Sequence, residues 1–481
     1  MKKEYHLNRL GPVLWEIPVS THPGMLVPGH IYCREELLEA IRNDRALEQL
    51  INVASLPGIQ RAAIVMPDAH EGYGFPIGGV AATRWPDGFI SPGGIGYDIN
   101  CGVRLLLTPL FFKDIENRLE SFSEELYSSI PSGTGIGGDL LLNLNEMNAV
   151  LKQGAAWAVS HNLGEKEDLE FIESNGCLAN ADPASVSEKA KRRGLDQLGT
   201  IGSGNHFVEL DRVSEIFNEK AAAVFGLSPD QMVILIHTGS RGLGHQVATD
   251  YIRLMVNVMH NYNFKPRDRE LAGVPFNSTE GQAYYNAMAA AANFAWCNRE
   301  IITHKIRQTL QRVFNIKPGD IKLLYDVAHN IAKIEEHPVQ GAMTKLIVHR
   351  KGATRAFGPG HQDIPEKYRA VGQPVLIPGS MGTSSFVLAG APNSMDSAFG
   401  STCHGAGRRL SRTAAKKQVG GPELKEALRK EGIFIQAGSF GGIAEEAPIA
   451  YKDVDMVVDT VHEAGLAIKI ARLKPLAVIK G

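Results

Sequence analysis

The chain lacks several features that would assign it to a common class of protein. Its 481 residues include five cysteines at scattered positions, which argues against a disulfide framework and favours a reducing, cytoplasmic location. No apolar run approaches the roughly 18 residues of a membrane-spanning helix. No apolar stretch follows the polar N-terminus, so we expect neither a membrane partner nor a secretory signal.

An excess of charge of one sign is also missing. The formal net charge is −2, so any basic surface for a nucleic acid must be local. The motif Gly-x-x-x-x-Gly-Lys-Ser/Thr is absent, which excludes a P-loop NTPase. The Lys-x-Asp-Gly element of lysine-nucleotidylating ligases is absent as well. If the protein activates a substrate with a nucleotide, some other residue must hold that nucleotide.

Glycine, by contrast, is abundant, with 50 residues that cluster in short loops and follow no collagen-like period. Apolar runs and helical stripes alternate irregularly between these loops, which predicts an α+β fold with a mixed β-sheet core and flanking helices. We expect one large catalytic domain over residues 1–481, with a helical insertion at about 137–197. The clearest strands are predicted at 62–67, 232–236, 321–328 and 374–377, and the clearest helices at 112–130 and 280–314.

The loop Gly93–Gly102 places the carboxylate of Asp98 and the thiol of Cys101 three residues apart on a glycine-rich turn. Glycine lets such a turn approach a ligand closely, so both side chains could bind one metal ion. Three histidines occur where strands end or turns begin, and with the loop they offer five ligands, enough for two metals if the thiolate bridges. These histidines are His206, His237 and His329.

Two alternatives stay open on this evidence. A histidine taken alone is better explained as a hydrogen-bonded residue of the core or its rim, and it is the three together with Asp98 and Cys101 that make a metal site an equal alternative. The ligand types also leave the metal undecided, because thiolate and imidazole suit zinc or iron whereas carboxylate favours manganese or magnesium.

A second group of residues surrounds His404, which lies on a loop of small residues. The spacing of Arg408, Arg412 and Lys416 predicts a basic helix directly after this loop, with the three cations on one face. A helix N-terminus favours phosphate, and neutral imidazole is a competent nucleophile, so His404 could attack phosphorus. The alternative is a solvated basic helix with a capping loop. The basic stretch 349–355 also suits phosphate or an RNA backbone.

Taken together, the motifs resemble one family, the GTP-dependent RNA-splicing ligases called RtcB. The matching segments follow the family's order across nearly the whole chain. They are Pro67–Gly74, Ser91–Arg104, Gly202–Phe207, His237–His245, Asp326–Asn330, His349–Phe357, Ile377–Gly382, Gly400–Gly407 and Lys480–Gly481.

The resemblance implies an enzyme of tRNA splicing and RNA repair. Such an enzyme joins a 2′,3′-cyclic phosphate or 3′-phosphate end of RNA to a 5′-hydroxyl end, using GTP and two manganese ions, and archease can activate it. Cys101 would bridge the two ions. His237 and His329 would complete one site, and Asp98 and His206 the other. His404 would attack the α-phosphate of GTP and form a guanylyl-histidine.

The resemblance also implies three further sets of residues. Asp68 is a candidate for handling the 5′-hydroxyl or the cyclic phosphate. Contacts to RNA or phosphate would come from Arg241, Arg350, Lys351, Arg408 and Arg412. Contacts to the guanine nucleotide would come from Asn205, His206, Phe207, Val208, Glu209, His329, Asn330, Pro378, Gly379, Ser380, Met381, Ser385, His404, Gly405, Ala406, Gly407 and Lys480.

Two rival functions use the same residues. A two-metal phosphoesterase or cyclic-phosphate hydrolase would need the five metal ligands but not His404. An RNA-binding or chaperone-like protein with a structural zinc would need no nucleotide chemistry at all.

Overall fold

Two large β-sheets form the centre of the molecule, with helices against them, in a computed structural model that describes residues 5–133 and 135–481. The first four residues of the polar N-terminal segment lie outside the described residues. The strands are β1 Asn8–Arg9, β2 Leu14–Ile17, β3 Gly29–Tyr32, β4 Ala63–His70, β5 Ile77–Arg84, β6 Phe89–Ile90, β7 Gly102–Phe111, β8 Phe207–Ile216, β9 Gln231–Thr238, β10 Val274–Pro275, β11 Lys322–Ala328, β12 Asn330–Val339, β13 Ala342–Lys351, β14 Ala353–Arg355, β15 Pro374–Ile377, β16 Ser385–Gly390, β17 Ser401–Cys403, β18 Phe434–Ala437 and β19 Ala467–Lys480.

The helices confirm the predicted α+β class. They are α1 Glu35–Arg42, α2 Ala46–Val53, α3 Phe112–Ile115, α4 Leu119–Ser129, α5 Leu144–Gln153, α6 Ala155–Ser160, α7 Glu188–Arg192, α8 Glu219–Phe225, α9 Arg241–Val258, α10 Thr279–Phe314, α11 Ser394–Ala398, α12 Arg412–Gln418, α13 Gly421–Lys430, α14 Phe440–Glu445 and α15 Val454–Glu463. Among the described residues, none of these helices is both long and apolar enough to cross a membrane.

The strand order shows that both large sheets are mixed or antiparallel, as predicted. One sheet has the order β1-β2-β3-β4-β5-β13-β12, in which β3 and β4 are parallel. The other has the order β11-β7-β9-β8-β19-β16-β15, and β18 adds to β19 in parallel. Small two-stranded sheets join β6 to β10 and β14 to β17.

Four neighbouring antiparallel strands of the second sheet bring distant segments to one edge. Gly102, at the start of β7, pairs with Thr238 at the end of β9 and with Ala328 at the end of β11. Phe207, at the start of β8, pairs with His237 on β9. Because adjacent antiparallel strands run in opposite directions, the starts of two strands and the ends of two others meet here.

The long helix α10 packs behind this edge, and most of its first 24 residues, Thr279–Ile302, are buried. Its alanine-rich first half lets neighbouring elements approach closely. The segment 137–197, predicted as a helical insertion, contains α5, α6, α7 and the 3₁₀ turns Lys166–Phe171, Glu173–Gly176 and Pro183–Ser185. Helices α5 and α6 pack directly on α10.

Candidate active site

All five predicted metal ligands meet at the edge of the second sheet. The Sγ atom of Cys101 lies 3.4 Å from Nε2 of both His206 and His237. His206 Nε2 is 2.7 Å from Asp98 Oδ2, and His237 Nε2 is 3.3 Å from His329 Nε2. Cys101 therefore belongs to two groups of three ligand atoms, each within a span of 4.8 Å: one with His237 and His329, the other with Asp98 and His206.

The electrostatics of these groups fit a divalent cation. Burial lowers the pKa of His237 and His329 well below the usual value, so both imidazoles stay neutral and keep a lone pair for a metal. Burial alone would raise the pKa of Asp98, but His206 lowers it to about 2. Burial and Asp98 raise the pKa of the Cys101 thiol, and a bound cation would reverse that shift by stabilising the thiolate.

A buried arginine that the sequence analysis did not identify holds the ligand-bearing turn. Asn100 has a left-handed φ of 52°, and its carbonyl accepts a hydrogen bond of 2.9 Å from Arg299. The same guanidinium donates to the Thr238 carbonyl at 2.8 Å and to both carboxylate oxygens of Asp326 at 2.8 Å. Arg299 thus ties the turn that carries Cys101 to the ends of two strands. The available signal was a charged residue inside the alanine-rich, buried helix α10.

His404 contacts Asp68 on one side of its ring and lines the open cleft. Its Nδ1 lies 2.6 Å from Asp68 Oδ2, and the same oxygen accepts the His404 backbone N–H at 3.0 Å. Since Asp68 accepts at Nδ1, the lone pair of His404 is left on Nε2. The ring lies 4.9 Å from that of His329, so the nucleophile candidate adjoins the metal ligands. Asp68 is fully buried and holds the His404 ring through this contact, and the substrate contact predicted for it from the sequence stays a prediction.

A cleft of about 660 Å³ opens over the metal ligands and His404. The predicted residues that line it are Asp98, Cys101, Asn205, His206, His237, Arg241, His329, Asn330, Lys351, Pro378, Gly379, His404, Gly405, Ala406, Gly407, Arg408 and Arg412.

Other predicted nucleotide contacts lie behind the cleft wall. Glu209 accepts a hydrogen bond from Ser385 Oγ at 3.2 Å, and that hydroxyl accepts the N–H of Gly379 at 3.0 Å. Lys480 Nζ lies 5.4 Å from the ring centre of Phe207. These buried residues are Phe207, Val208, Glu209, Ser380, Met381, Ser385 and Lys480.

The structure contradicts one predicted RNA contact, that of Arg350, and brings another, Lys351, to the cleft. Arg350 is fully buried, pairs with Glu335 at 2.6 Å and donates to Ser401 at 2.8 Å, so it is not available to RNA. Lys351 does reach the cleft, where its ammonium donates to the Tyr73 carbonyl at 2.6 Å. Burial lowers the pKa of Lys351 to about 7.

The predicted basic helix exists but does not follow His404 directly, and of its three predicted cations Arg412 and Lys416 lie on it whereas Arg408 does not. Gly407 has a left-handed φ of 74°, and helix α12 begins only at Arg412. Arg408 lies in the intervening loop, forms a bridge with Tyr451 and pairs with Glu446 at 2.9 Å. The two arginines therefore do not share a helix face, although both line the cleft.

The cleft also contains residues that were not predicted as contacts. Tyr97 precedes Asp98 and stacks on the exposed ring of His245, with ring centres 4.9 Å apart. Arg193 and Gln197 come from the predicted insertion and line the same wall. Tyr97 and His245 had a signal in the sequence, since they lie in the matching segments Ser91–Arg104 and His237–His245, whereas Arg193 and Gln197 had none.

The sequence model of the family described as tRNA-splicing ligase RtcB matches residues 49–481. The chain belongs to the RtcB family. A tRNA-splicing ligase RtcB from Thermococcus kodakarensis is 53% identical over 483 residues and aligns over the full length of both chains. Similar proteins of the same name from Methanococcus maripaludis and Archaeoglobus fulgidus are each 50% identical, over 99% and 100% of both chains. The resemblance drawn from short motifs is thereby confirmed.

Proposed function

We propose that this RtcB family member is an RNA ligase of tRNA splicing and RNA repair. It joins a 2′,3′-cyclic phosphate or 3′-phosphate end to a 5′-hydroxyl end, using GTP and manganese. Membership of a family of tRNA-splicing ligases supports the RNA ligase activity. The observation that carries the chemistry is the hydrogen bond between Asp68 and His404 Nδ1, with the His404 ring 4.9 Å from that of His329, a candidate metal ligand.

His404 is the proposed nucleophile. Asp68 holds Nδ1 as the donor, so Nε2 bonds to the α-phosphorus of GTP while the bond to the bridging oxygen breaks and pyrophosphate leaves. The buried Asp68 carboxylate also stabilises the positive charge that develops on the ring. Guanylate then passes to the RNA 3′-phosphate, and the 5′-hydroxyl displaces GMP. This sequence is needed because an anionic 3′-phosphate is a poor electrophile without a leaving group.

The metal ligands divide into two sets that share Cys101. Asp98 and His206 would hold one ion, and His237 and His329 the other. When bound, two divalent ions would neutralise phosphate charge and act as Lewis acids. Manganese is inferred from the family, since the ligand types alone leave the metal open.

Arginines at the cleft form a local basic surface, although the net charge of the whole chain is close to zero. Arg241, Arg408 and Arg412 line the cleft and suit phosphates of GTP or RNA. We also propose a cytoplasmic location, supported by five cysteines that form no disulfide within the described residues. Dependence on archease is tested by comparing turnover with and without it.

The test is incubation with α-labelled GTP and manganese. We expect acid-labile label on the wild-type protein and none on His404→Ala, whereas His260→Ala, which removes an exposed histidine, keeps it. Label that survives on His404→Ala would contradict the nucleophile assignment. GTP-independent conversion of a cyclic phosphate to a stable 3′-phosphate, with no joined product, would favour the hydrolase.

A further inference from the structure

Strand β8 directs two carboxyl groups into an apolar layer. Glu209 and Asp211 are two residues apart, so their side chains leave the same face of the sheet. On that face, Phe207 and Val213 belong to a hydrophobic core. Asp211 is 0% exposed and Glu209 is 2% exposed. An isolated charge is very unfavourable in such surroundings, so the pair requires a physical explanation.

The surroundings of Asp211 offer one polar partner. Its neighbours across the sheet are Val233 on β9 and Pro475 on β19. Within the described residues, neither carboxylate oxygen of Asp211 receives a hydrogen bond from a donor group. The carboxyl of Glu209 leaves the same face of β8 two residues away, and a hydrogen bond with it is among the causes that raise the pKa of Asp211. Two carboxyl groups can form a hydrogen bond with each other only when one of them carries a proton.

The proton belongs on Asp211. Burial raises the pKa of Asp211 well above its usual value, and the charge of Glu209 raises it further. Burial also raises the pKa of Glu209, to about 7, but hydrogen bonds and the nearby ammonium of Lys480 oppose that shift. Asp211 is therefore the carboxyl that keeps the proton, and the nearby ammonium of Lys480 favours the negative charge on Glu209.

Glu209 is connected to the cleft, whereas Asp211 is not. The hydroxyl of Ser385 donates to Glu209 and accepts from the N–H of Gly379, which lines the cleft. Under the proposed use of GTP, the Glu209 carboxylate would accept the N1–H and N2–H donors of the guanine base. Adenine has an unprotonated N1 at the same position. The lone pair on that nitrogen would face a lone pair of the Glu209 carboxylate and be repelled by it.

We propose that Asp211 is a positioning residue for guanine recognition: it donates a hydrogen bond to Glu209 and holds that carboxylate in the orientation that accepts the guanine edge. The proposal rests on the proposed use of GTP and adds a residue that never touches the nucleotide. Since the contact is to the base, its loss should change KM and base selectivity rather than the chemistry at His404.

The test compares Asp211→Leu, Asp211→Asn and a matched control, Val213→Ala, which alters the same face of the same strand. Covalent labelling is measured with GTP, ITP and ATP. We expect Asp211→Leu to raise the KM for GTP about 10- to 100-fold, the size of one hydrogen bond to a charged group, with little change in kcat. Preference for GTP over ATP should fall with it. Asp211→Asn, whose amide can still donate, should show a smaller rise, and Val213→Ala should keep the wild-type selectivity.

A second measurement separates this inference from the proposed function. The infrared carbonyl band of a protonated carboxylic acid should persist above neutral pH in the wild type and disappear in Asp211→Asn. Absence of that band, or wild-type KM and selectivity in Asp211→Leu, would overturn the positioning role. If the wild type takes no label from GTP, the proposed function is contradicted. The infrared band would then still show whether Asp211 holds the proton.

Discussion

Replacement of Arg299 by methionine tests whether the metal site depends on a buried arginine that touches none of the proposed ligands' metal-binding atoms. Arg299 is fully buried and donates to Asp326, to the Asn100 carbonyl and to the Thr238 carbonyl. Methionine keeps the apolar stem of the side chain but ends near the position of the arginine Nε and supplies no donor. The substitution therefore removes the hydrogen bonds of the guanidinium group and retains the packing of the stem.

The expected loss of stability follows from these partners. Breaking a buried ion pair costs about 3–5 kcal/mol, since an unpaired charge is left inside. Asp326 keeps its second ion pair, with Arg104 at 2.8 Å. We therefore expect the cost of breaking its pair with Arg299 to lie at the low end of that range. Two buried carbonyls also lose a donor, at about 1–3 kcal/mol each when fully independent. Because the losses share one side chain and do not add, we expect about 3–5 kcal/mol in total.

The same substitution should weaken metal binding. Loss of an outer hydrogen bond to a ligand-bearing segment lowers metal affinity about 10- to 100-fold. Arg312→Met on the same helix is the control, because its exposed pair with Glu125 contributes about 0–1 kcal/mol. Urea unfolding without metal measures stability, and manganese titration followed by electron paramagnetic resonance measures affinity. If Arg299→Met matches the control in stability, the buried network is not structural. Lost stability with unchanged affinity would refute the link to the Cys101 turn.

Two further predictions concern the ligands and the nucleophile. Cys101→Ala should abolish both manganese sites whereas Asp98→Ala should chiefly weaken one, as counted by bound metal per chain; two ions on Cys101→Ala would end the bridging role. Gly407→Ala should reduce guanylylation more than tenfold, since its Cβ would overlap the Asp68 carbonyl. Gly360→Ala is the control, with a similar φ of 89° and no described atom within 4 Å of the added Cβ, and equal labelling of the two variants would show that the overlap is harmless.

Local sequence patterns predicted the clearest apolar strand and the longest helix. The apolar run at 232–236 lies inside β9, and the stripe at 280–314 matches α10 to within one residue. The helix predicted directly after His404 begins only at Arg412, because a tertiary bridge between Arg408 and Tyr451 fixes the intervening loop. Local residue spacing carries no information about such a bridge. The predicted RNA contact of Arg350 was wrong for a similar reason, because the exposure of a strand residue depends on which distant segments of the chain cover it.

The metal site could be anticipated as a set of residues but not as an arrangement, and the sheet register explains why. His237 pairs with Val103 on one side and with Phe207 on the other. A slip of one residue in β9 would turn His237 to the opposite face, because strand side chains alternate with a period of two. The five ligands therefore converge only if β7, β8, β9 and β11 all keep their register. The buried bonds of Arg299 join the turn before β7 to the end of β9, so the network beneath the site also fixes the register that creates it.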